Sequence, residues 1–399
     1  MHAYIPYGAY WSTPFARWQG EFADLHAMEF AAHVTRAALA ERDLPVEAFD
    51  FAAYGLTVPQ YRSFYGLPWF TGMIGAERLT GPTVNQACAT GARLLATAAG
   101  EFAIGAARSA LLVSGDRTSN SPHVYYPAPG APGGTGQSED IVLESFNKDP
   151  FARCAMVDTA DNVARRVGID TAEQHELTLH RQAQYEDALK DDRAFQKRYM
   201  AAAFAVPDAR FRKTVKTISG DCGIYPASPN KMAALRPVRE GGSVTFAAQT
   251  HPADGNAGLV MVAEPDRARD MATRKDAPLV QLLAFGQSRE DRAHMPAAPI
   301  DAARQALERA DLSIGDMDVI KSHNPFAVND IAFARAFGID WRRMNNFGSS
   351  LIWGHPQGPT GLRAIIEMIE ELELRGGGYG LFHGCAAGDS AMALILKLG

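Results

Sequence analysis

Residues 88–105 carry only two charges, Arg93 and Glu101, and set small or apolar side chains at Ala92, Leu95, Ala96, Ala99, Phe102 and Ala103. That spacing predicts a helix buried on nearly every side. A second helix is read from the stripe Leu362, Ile365, Ile366, Ile369 and Leu372, with Glu367, Glu370, Glu371 and Glu373 in the other positions. Short apolar runs, DVIK at 318–321, YGLF at 379–382 and ALILKL at 393–398, read as strands. Helical periods with charged faces occupy 156–167 and roughly 171–205. Residues 119–150 have no period; proline, glycine and aromatic residues there predict a long irregular loop.

The pattern repeats. Residues 37–51, AALAERDLPVEAFDF, and 305–319, QALERADLSIGDMDV, both read as a helix end, a loop beginning with leucine, an aspartate and a strand. Leu39 matches Leu307 and Asp50 matches Asp318, each at an offset of 268 (307−39, 318−50). Similar offsets carry Cys88 to within a residue of His355 and Gly115 to near Gly384. Such a repeat implies two βα units related by a pseudo-twofold axis, with equivalent strand-to-helix corners converging on one crevice. The expected organisation is a first half, 1–118 plus 241–265, a second half, 266–399, and an insertion, 119–240, folded over the crevice.

Composition narrows the class. The 399 residues are 47% apolar, enough for two or more domains. A net charge of −6 with mixed signs gives no footprint for nucleic acid or an anionic membrane. There is no apolar run of membrane-spanning length, and the N-terminal MHAYIPYGAYWSTPF does not suggest secretion. Four scattered cysteines, Cys88, Cys154, Cys222 and Cys385, lack metal-ligand spacing and suit reduced thiols in the cytoplasm.

Four segments carry candidate chemistry. Cys88, in VNQACATGAR, is expected in the first turn of the buried helix, where free N–H groups and the helix dipole favour thiolate. A buried core cysteine is the alternative. His355 lies in NNFGSSLIWGHPQGPTGLR between Gly354 and Pro356, which would fix its angle as a general base. Cys385, in HGCAAGDSAMA, precedes small residues that let backbone N–H groups approach a ligand, or else sits in a plain tight turn. His323 and Asn324, in SHNPFAVND, either donate hydrogen bonds or form a polar strand-end turn.

Taken together, TPF…GEFADLHAMEFAAH, VNQACATGA, LLVSGDRTSNSP, MVDTADNVA, GHPQGPTG and CAAGDSAMA resemble the thiolase family in order and over nearly the whole chain. The second cysteine, Cys385, favours thiolases over the related ketoacyl synthases. The resemblance implies an α/β protein with a five-layered αβαβα fold, two similar halves and a loop domain over the site. It implies acyl transfer from a 3-oxoacyl-CoA to Cys88, or the reverse Claisen condensation, with His355 as base and Cys385 moving the α-carbon proton. Backbone N–H groups of Cys88 and Ala387 would form one oxyanion hole; His355 and His323, with water held by His323, would form the other. Met156, Thr250, His251, Asn324 and Phe326 are the implied substrate contacts, with a solvent-exposed turn histidine the alternative for His251. Coenzyme A is the implied co-substrate, with no bound cofactor or metal.

The family's Asn-Glu-Ala-Phe is here His323-Asn324-Pro325-Phe326, Thr250 stands where a serine is usual, and Ala387 would be strained if its turn needed positive φ. Tyr61, Tyr65, Trp69, Phe70, Tyr125, Tyr126 and Trp353 would line a bulky acyl pocket or belong to core and interfaces. A narrower likeness is to benzoylsuccinyl-CoA thiolases, some of which use a small zinc-binding OB-fold partner. A homodimer or dimer of dimers is expected. The competing readings are a ketoacyl-synthase-like condensing enzyme and a non-catalytic acyl-CoA-binding subunit.

Overall fold

The computed structural model describes residues 2–399. Its main strands are β1 (Tyr4–Ile5), β2 (Phe51–Gly55), β3 (Thr83–Val84), β4 (Ser109–Arg117), β5 (Ala253–Val262), β6 (Val280–Arg289), β7 (Val319–His323), β8 (Gly378–Ala386) and β9 (Ser390–Leu398). The helices that matter for the site are α1 (Ala27–Glu41), α2 (Thr90–Ala103), α3 (Met156–Val167), α4 (Thr171–Ala188), α5 (Ala298–Ala310), α6 (Ala327–Phe337) and α7 (Gly358–Leu374). Hydrogen bonding links the strands in the order β7-β8-β9-β6-β1-β5-β4-β2-β3. The two-residue β1 joins the halves, because Tyr4 lies opposite both Val262 and Gln281.

Each half repeats one scheme. β2 runs parallel to β4, which is antiparallel to β5; β7 runs parallel to β8, which is antiparallel to β9. The starts of β2 and β7 are related by the same offset as the sequence repeat (319−51), and so are those of α2 and α7 (358−90). α1 packs on the outer face of the first sheet and α5 on that of the second, while α2 and α7 lie between the sheets. Five layers result. All ten residues of β5 are buried, as a sheet covered on both faces requires.

The central layer is tight because α2 begins Thr90-Gly91. A Cβ on Gly91 would meet the Leu362 backbone nitrogen at 2.6 Å and the Gly358 carbonyl at 2.9 Å. Only glycine lets the two helix starts touch, and the corners before them are thereby brought together. The glutamates of α7 do not make a solvated face. Glu367, Glu370 and Glu371 are buried, and each meets a cation: Arg363 at 3.0 Å, Arg198 at 2.6 Å and Lys321 at 3.2 Å. Buried carboxylates persist only when paired in this way.

The intervening segment is more ordered than its composition suggested. Within 119–150, His123–Tyr126 pairs antiparallel with Gln137–Asp140, and Leu143–Asn147 forms a short helix. The helix expected over 171–205 stops at Ala188, since Asp191 and Asp192 take left-handed backbone. Beyond it, Phe195, Tyr199 and Met200 fill the central core from an irregular segment, so apolar positions outlast the helix. α3 and α4 pack against α6, where Arg181 and Asp330 form a fully buried ion pair at 3.0 Å. Among the described residues, no helix is long and apolar enough to cross a membrane.

Candidate active site

Cys88 lies two residues ahead of α2 rather than in its first turn; Ala89 is the N-cap. Side chains shape the approach. Asn85 Oδ1 accepts from the Ala87 N–H at 2.9 Å, and Thr90 Oγ1 accepts from the Gln86 N–H at 2.8 Å. Ala87 is held at a φ of 44°, a costly conformation for alanine that these bonds over-determine.

The His355 corner is pinned more firmly. Its N–H donates to the His251 carbonyl at 2.9 Å, and its own carbonyl accepts from the Ala253 N–H at 3.3 Å. Gly354 and Gln357, with φ of 95° and 63°, turn the chain on either side. The ring places Nδ1 2.6 Å from Thr360 Oγ1 and Nε2 3.1 Å from Cys88 Sγ. A proton given from Nδ1 to Thr360 leaves the Nε2 lone pair facing the thiol. Gln357 Oε1 is the thiol's other neighbour, at 3.3 Å.

His323 ends β7 and stacks on His355, with ring centres 4.1 Å apart. Ser350 Oγ lies 3.0 Å from His323 Nδ1, accepts from the Asn324 N–H and donates to Asn324 Oδ1. With that single hydroxyl proton committed to Asn324, His323 Nδ1 must be the donor. Its buried Nε2 is then a bare acceptor with no partner among the described residues. Asn324 is not part of the cavity wall: its Oδ1 accepts from the Ser350 hydroxyl and the Leu351 N–H, and its Nδ2 donates to Asp330. Cys385 is buried near the end of β8, its sulfur accepting from Asn329 Nδ2 at 3.2 Å. The turn after it needs no strain at Ala387, because Gly388 and Asp389 take the positive φ.

Above these groups lies a cavity of about 1020 Å³, large for a ligand site. Cys88, His355, Gln357 and Ala387 form part of its wall, as do Met156, Thr250, His251 and Phe326. His323, Asn324 and Cys385 stand behind that wall. None of the seven aromatic residues considered for a bulky pocket lines it; Phe146, Tyr225, Phe246 and Phe326 do. Phe70 and Trp353 are core, whereas Tyr61, Tyr65, Tyr125 and Tyr126 face solvent elsewhere.

Residues 9–265 match the N-terminal domain model of thiolase, and residues 276–398 match the C-terminal domain model. This chain belongs to the thiolase family. It is 29% identical to beta-ketothiolase BktB of Cupriavidus necator, covering 96% of each chain. It is 26% identical to the mitochondrial 3-ketoacyl-CoA thiolase of Rattus norvegicus, again over 96% of each. The human mitochondrial 3-ketoacyl-CoA thiolase superposes with a TM-score of 0.89 at 23% identity, covering 100% of this chain and 99% of that one. The same human protein has also been solved in complex with CoA, with a TM-score of 0.88.

The electrostatics of this thiolase differ from the expectation of a ready thiolate. Burial pushes the Cys88 thiol up to about 12, although the N–H groups of Ala387 and Cys88 itself hydrogen-bond toward the sulfur and pull the other way. Burial also pushes His355 down to about 3. The resting pair is therefore thiol and neutral imidazole. Burial holds the Cys385 thiol well above the usual range, and Cys88 lies close enough that its charge raises it further. The Cys88 sulfur and one ring nitrogen each from His323 and His355 fall within 4.8 Å of one another. Such a trio is able to hold a soft cation, but with the same atoms that thiol chemistry would use.

Several site residues escaped the sequence reading. Asp116, buried at the end of β4, accepts from the Thr57 N–H at 2.8 Å, the Val58 N–H at 3.0 Å, the Thr57 hydroxyl at 2.9 Å and the Gly358 N–H at 3.0 Å. It thereby ties the first half to the start of α7. Burial still pushes its carboxyl up to about 6. The repeat contained the signal, since nearly the same offset relates Asp116 to Cys385 (385−116). Thr360, Gln357, Ser350 and Asn329 stood inside quoted motifs without a role.

Proposed function

We propose that this thiolase cleaves a 3-oxoacyl-CoA with coenzyme A, and runs the reverse Claisen condensation, through an acyl-Cys88 intermediate. The observation that carries the reading is the 3.1 Å contact between Cys88 Sγ and His355 Nε2 at the wall of a cavity sized for an acyl-CoA. His355 takes the thiol proton as sulfur attacks the 3-keto carbon, so charge separates only while substrate excludes water. The oxyanion on that carbon is received by the N–H groups of Cys88 and Ala387.

Collapse of the adduct breaks the bond between C2 and C3 and leaves the acyl group on sulfur. The departing thioester enolate is stabilised by Nε2–H of the now cationic His355. A water that donates one proton to the bare His323 Nε2 gives its other to the same oxygen. Cys385 protonates C2, and its thiolate recovers the proton from the incoming CoA thiol; the CoA sulfur takes the acyl group, and the Cys88 thiolate so released takes its proton back from His355. Coenzyme A is co-substrate, and no resident cofactor enters these steps. Assembly is proposed through the first half, where Phe64 is 93% exposed beside Tyr61 and Tyr65, close to the edge strand β3.

The test is intact-protein mass spectrometry after brief incubation with acyl-CoA and 3-oxoacyl-CoA esters. A stoichiometric adduct that maps to Cys88 and disappears on adding CoA is the expected result. No adduct with any ester would sink the proposal.

A further inference from the structure

The cavity wall is one-sided in charge. Among the described residues, its charged side chains are Arg17, Lys231 and Arg239, with no acidic partner among the lining groups. Arg239 is already neutralised by Asp158 at 2.7 Å, and Lys231 stands exposed on the insertion. Arg17 differs from both. Among the described residues, no hydrogen bond or ion pair satisfies its guanidinium, and its Nη1 is buried without a partner. The guanidinium lies 4.1 Å from the centre of the Tyr225 ring, a stacking that holds the fork in place while leaving its N–H edge free.

Its backbone fixes how deep it sits. Arg17 pairs with Ala253 in the sheet, and the next N–H, that of Trp18, donates to the Pro252 carbonyl at 2.9 Å. The same short segment holds His355, through the His251 carbonyl and the Ala253 N–H. Arg17 and the proposed base are thus clamped to one stretch of three residues. The positive charge on Arg17 also helps to hold His251 neutral, after the larger effect of burial. Arg17 as a whole is half-buried, but its buried, unpaired Nη1 is a donor left open for a ligand that lies in the cavity.

We infer that Arg17 recognises a free carboxylate carried by the acyl part of the substrate, so that the preferred substrates are 3-oxoacyl-CoA esters of dicarboxylic acids. This rests on the thiolase reading of the same site. The phosphates of coenzyme A lie a whole pantetheine arm away from the thioester, whereas a carboxylate on the acyl group is carried into the region of the reacting carbons. A guanidinium fork matches a carboxylate with two charge-assisted hydrogen bonds.

The test compares binding of succinyl-CoA, butyryl-CoA and CoA by calorimetry, in a C88A background that blocks acylation. Succinyl-CoA is expected to bind at least about tenfold more tightly than butyryl-CoA. R17M should abolish that preference while leaving butyryl-CoA and CoA within about twofold, and R17K should keep part of it. Equal affinities in the parent overturn the inference. So does an R17M variant that weakens all three ligands alike, which would place Arg17 on the CoA arm. Circular dichroism and thermal melting of each variant exclude misfolding as the cause, and R17K preserves the charge if R17M melts early. Turnover separates this inference from its basis. No cleavage of any 3-oxoacyl-CoA by the native chain fails the thiolase reading, whereas cleavage without preference for a carboxylated acyl group fails only the role of Arg17.

Discussion

The two halves of the chain place different chemistry at equivalent positions. Where the first half has Gly55, Cys88 and Asp116, the second has His323, His355 and Cys385, at offsets of 268 (323−55), 267 (355−88) and 269 (385−116). The corner before α2 offers a sulfur partly open to the cavity. The corner before α7 offers a buried imidazole, with a second imidazole stacked on it and a second thiol behind. Gly55 cannot carry a side chain, because a Cβ there would meet Ser114 Oγ at 2.6 Å. Asp116 spends three of its hydrogen bonds on Thr57 and Val58 of its own half and one on the Gly358 N–H of the other. Duplication therefore supplied the geometry twice, and divergence left nucleophile chemistry on one side and proton chemistry on the other.

The comparison breaks most sharply at the sulfur–imidazole contact. C88A should abolish both the acyl adduct and turnover, a loss of about a thousandfold or more, measured by mass spectrometry and by thiolysis of a 3-oxoacyl-CoA. H355A should fall nearly as far, since His355 is the ring hydrogen-bonded to the sulfur whereas His323 stands near it without such a bond; general acid–base groups contribute about 10² to 10⁴. Residual acylation of H355A at the native rate would show that the thiol needs no partner. The ionisation of the pair is a separate check. With the thiol near 12 and the imidazole near 3, alkylation of Cys88 by iodoacetamide should quicken about tenfold per pH unit from pH 6 to 9. A plateau in that range would mean a preformed thiolate.

Next in size is Cys385. C385S should cut turnover by about a hundredfold or more while leaving Cys88 acylation by a simple acyl-CoA intact, because that half-reaction moves no α-carbon proton. Equal damage to both half-reactions would make Cys385 structural, and no damage to turnover would favour a ketoacyl-synthase-like enzyme.

These pairings show what a linear reading can reach. The repeat was visible because strand-to-helix units conserve spacing, and it matched Cys88 to His355 although the two lie far apart in the chain. Roles that depend on which side of a wall a residue faces were not visible. Asn324 and Cys385 sit in chemistry-rich motifs, yet both lie behind the cavity lining. Tyr61 and Tyr125 look like pocket aromatics and face solvent, whereas Tyr225 and Phe246 stand in or beside the insertion, whose local pattern says little. The thiolate expected at Cys88 failed for an energetic reason: burial outweighs two nearby N–H groups, and burial is a property of the assembled layers rather than of one helix start.

Asp116 tests the clasp between the halves. D116N replaces one acceptor with a donor facing the Gly358 N–H or the Thr57 hydroxyl, and should destabilise by about 1–3 kcal/mol in urea denaturation at pH 7. The pH dependence has a definite sign. The folded carboxyl titrates near 6, above its unfolded value of 3.8, so the folded state binds the proton more tightly. The contribution of this group to stability is present at low pH and is lost as pH rises through about 6. The stability gap between the parent and D116N should therefore shrink between pH 4.5 and 7; a widening gap would reverse the assignment.

The smallest effect belongs to Thr360, whose counterpart in the first half, by the offset of the repeat, is Ala92 (360−92). A thiol attacks from any rotation about its own bond, so the first corner needs no anchor. An imidazole must show one nitrogen to the sulfur and hide the other, so the second corner does. T360V keeps the shape but leaves Nδ1 unpaired in a buried site, which favours the tautomer with the proton on Nε2, the wrong side for a base. Turnover should fall about tenfold with KM for CoA unchanged, while T360S should restore most of the rate. If T360V instead raises KM at constant kcat, Thr360 shapes the cavity wall rather than the base, and the asymmetry between the corners loses its chemical meaning.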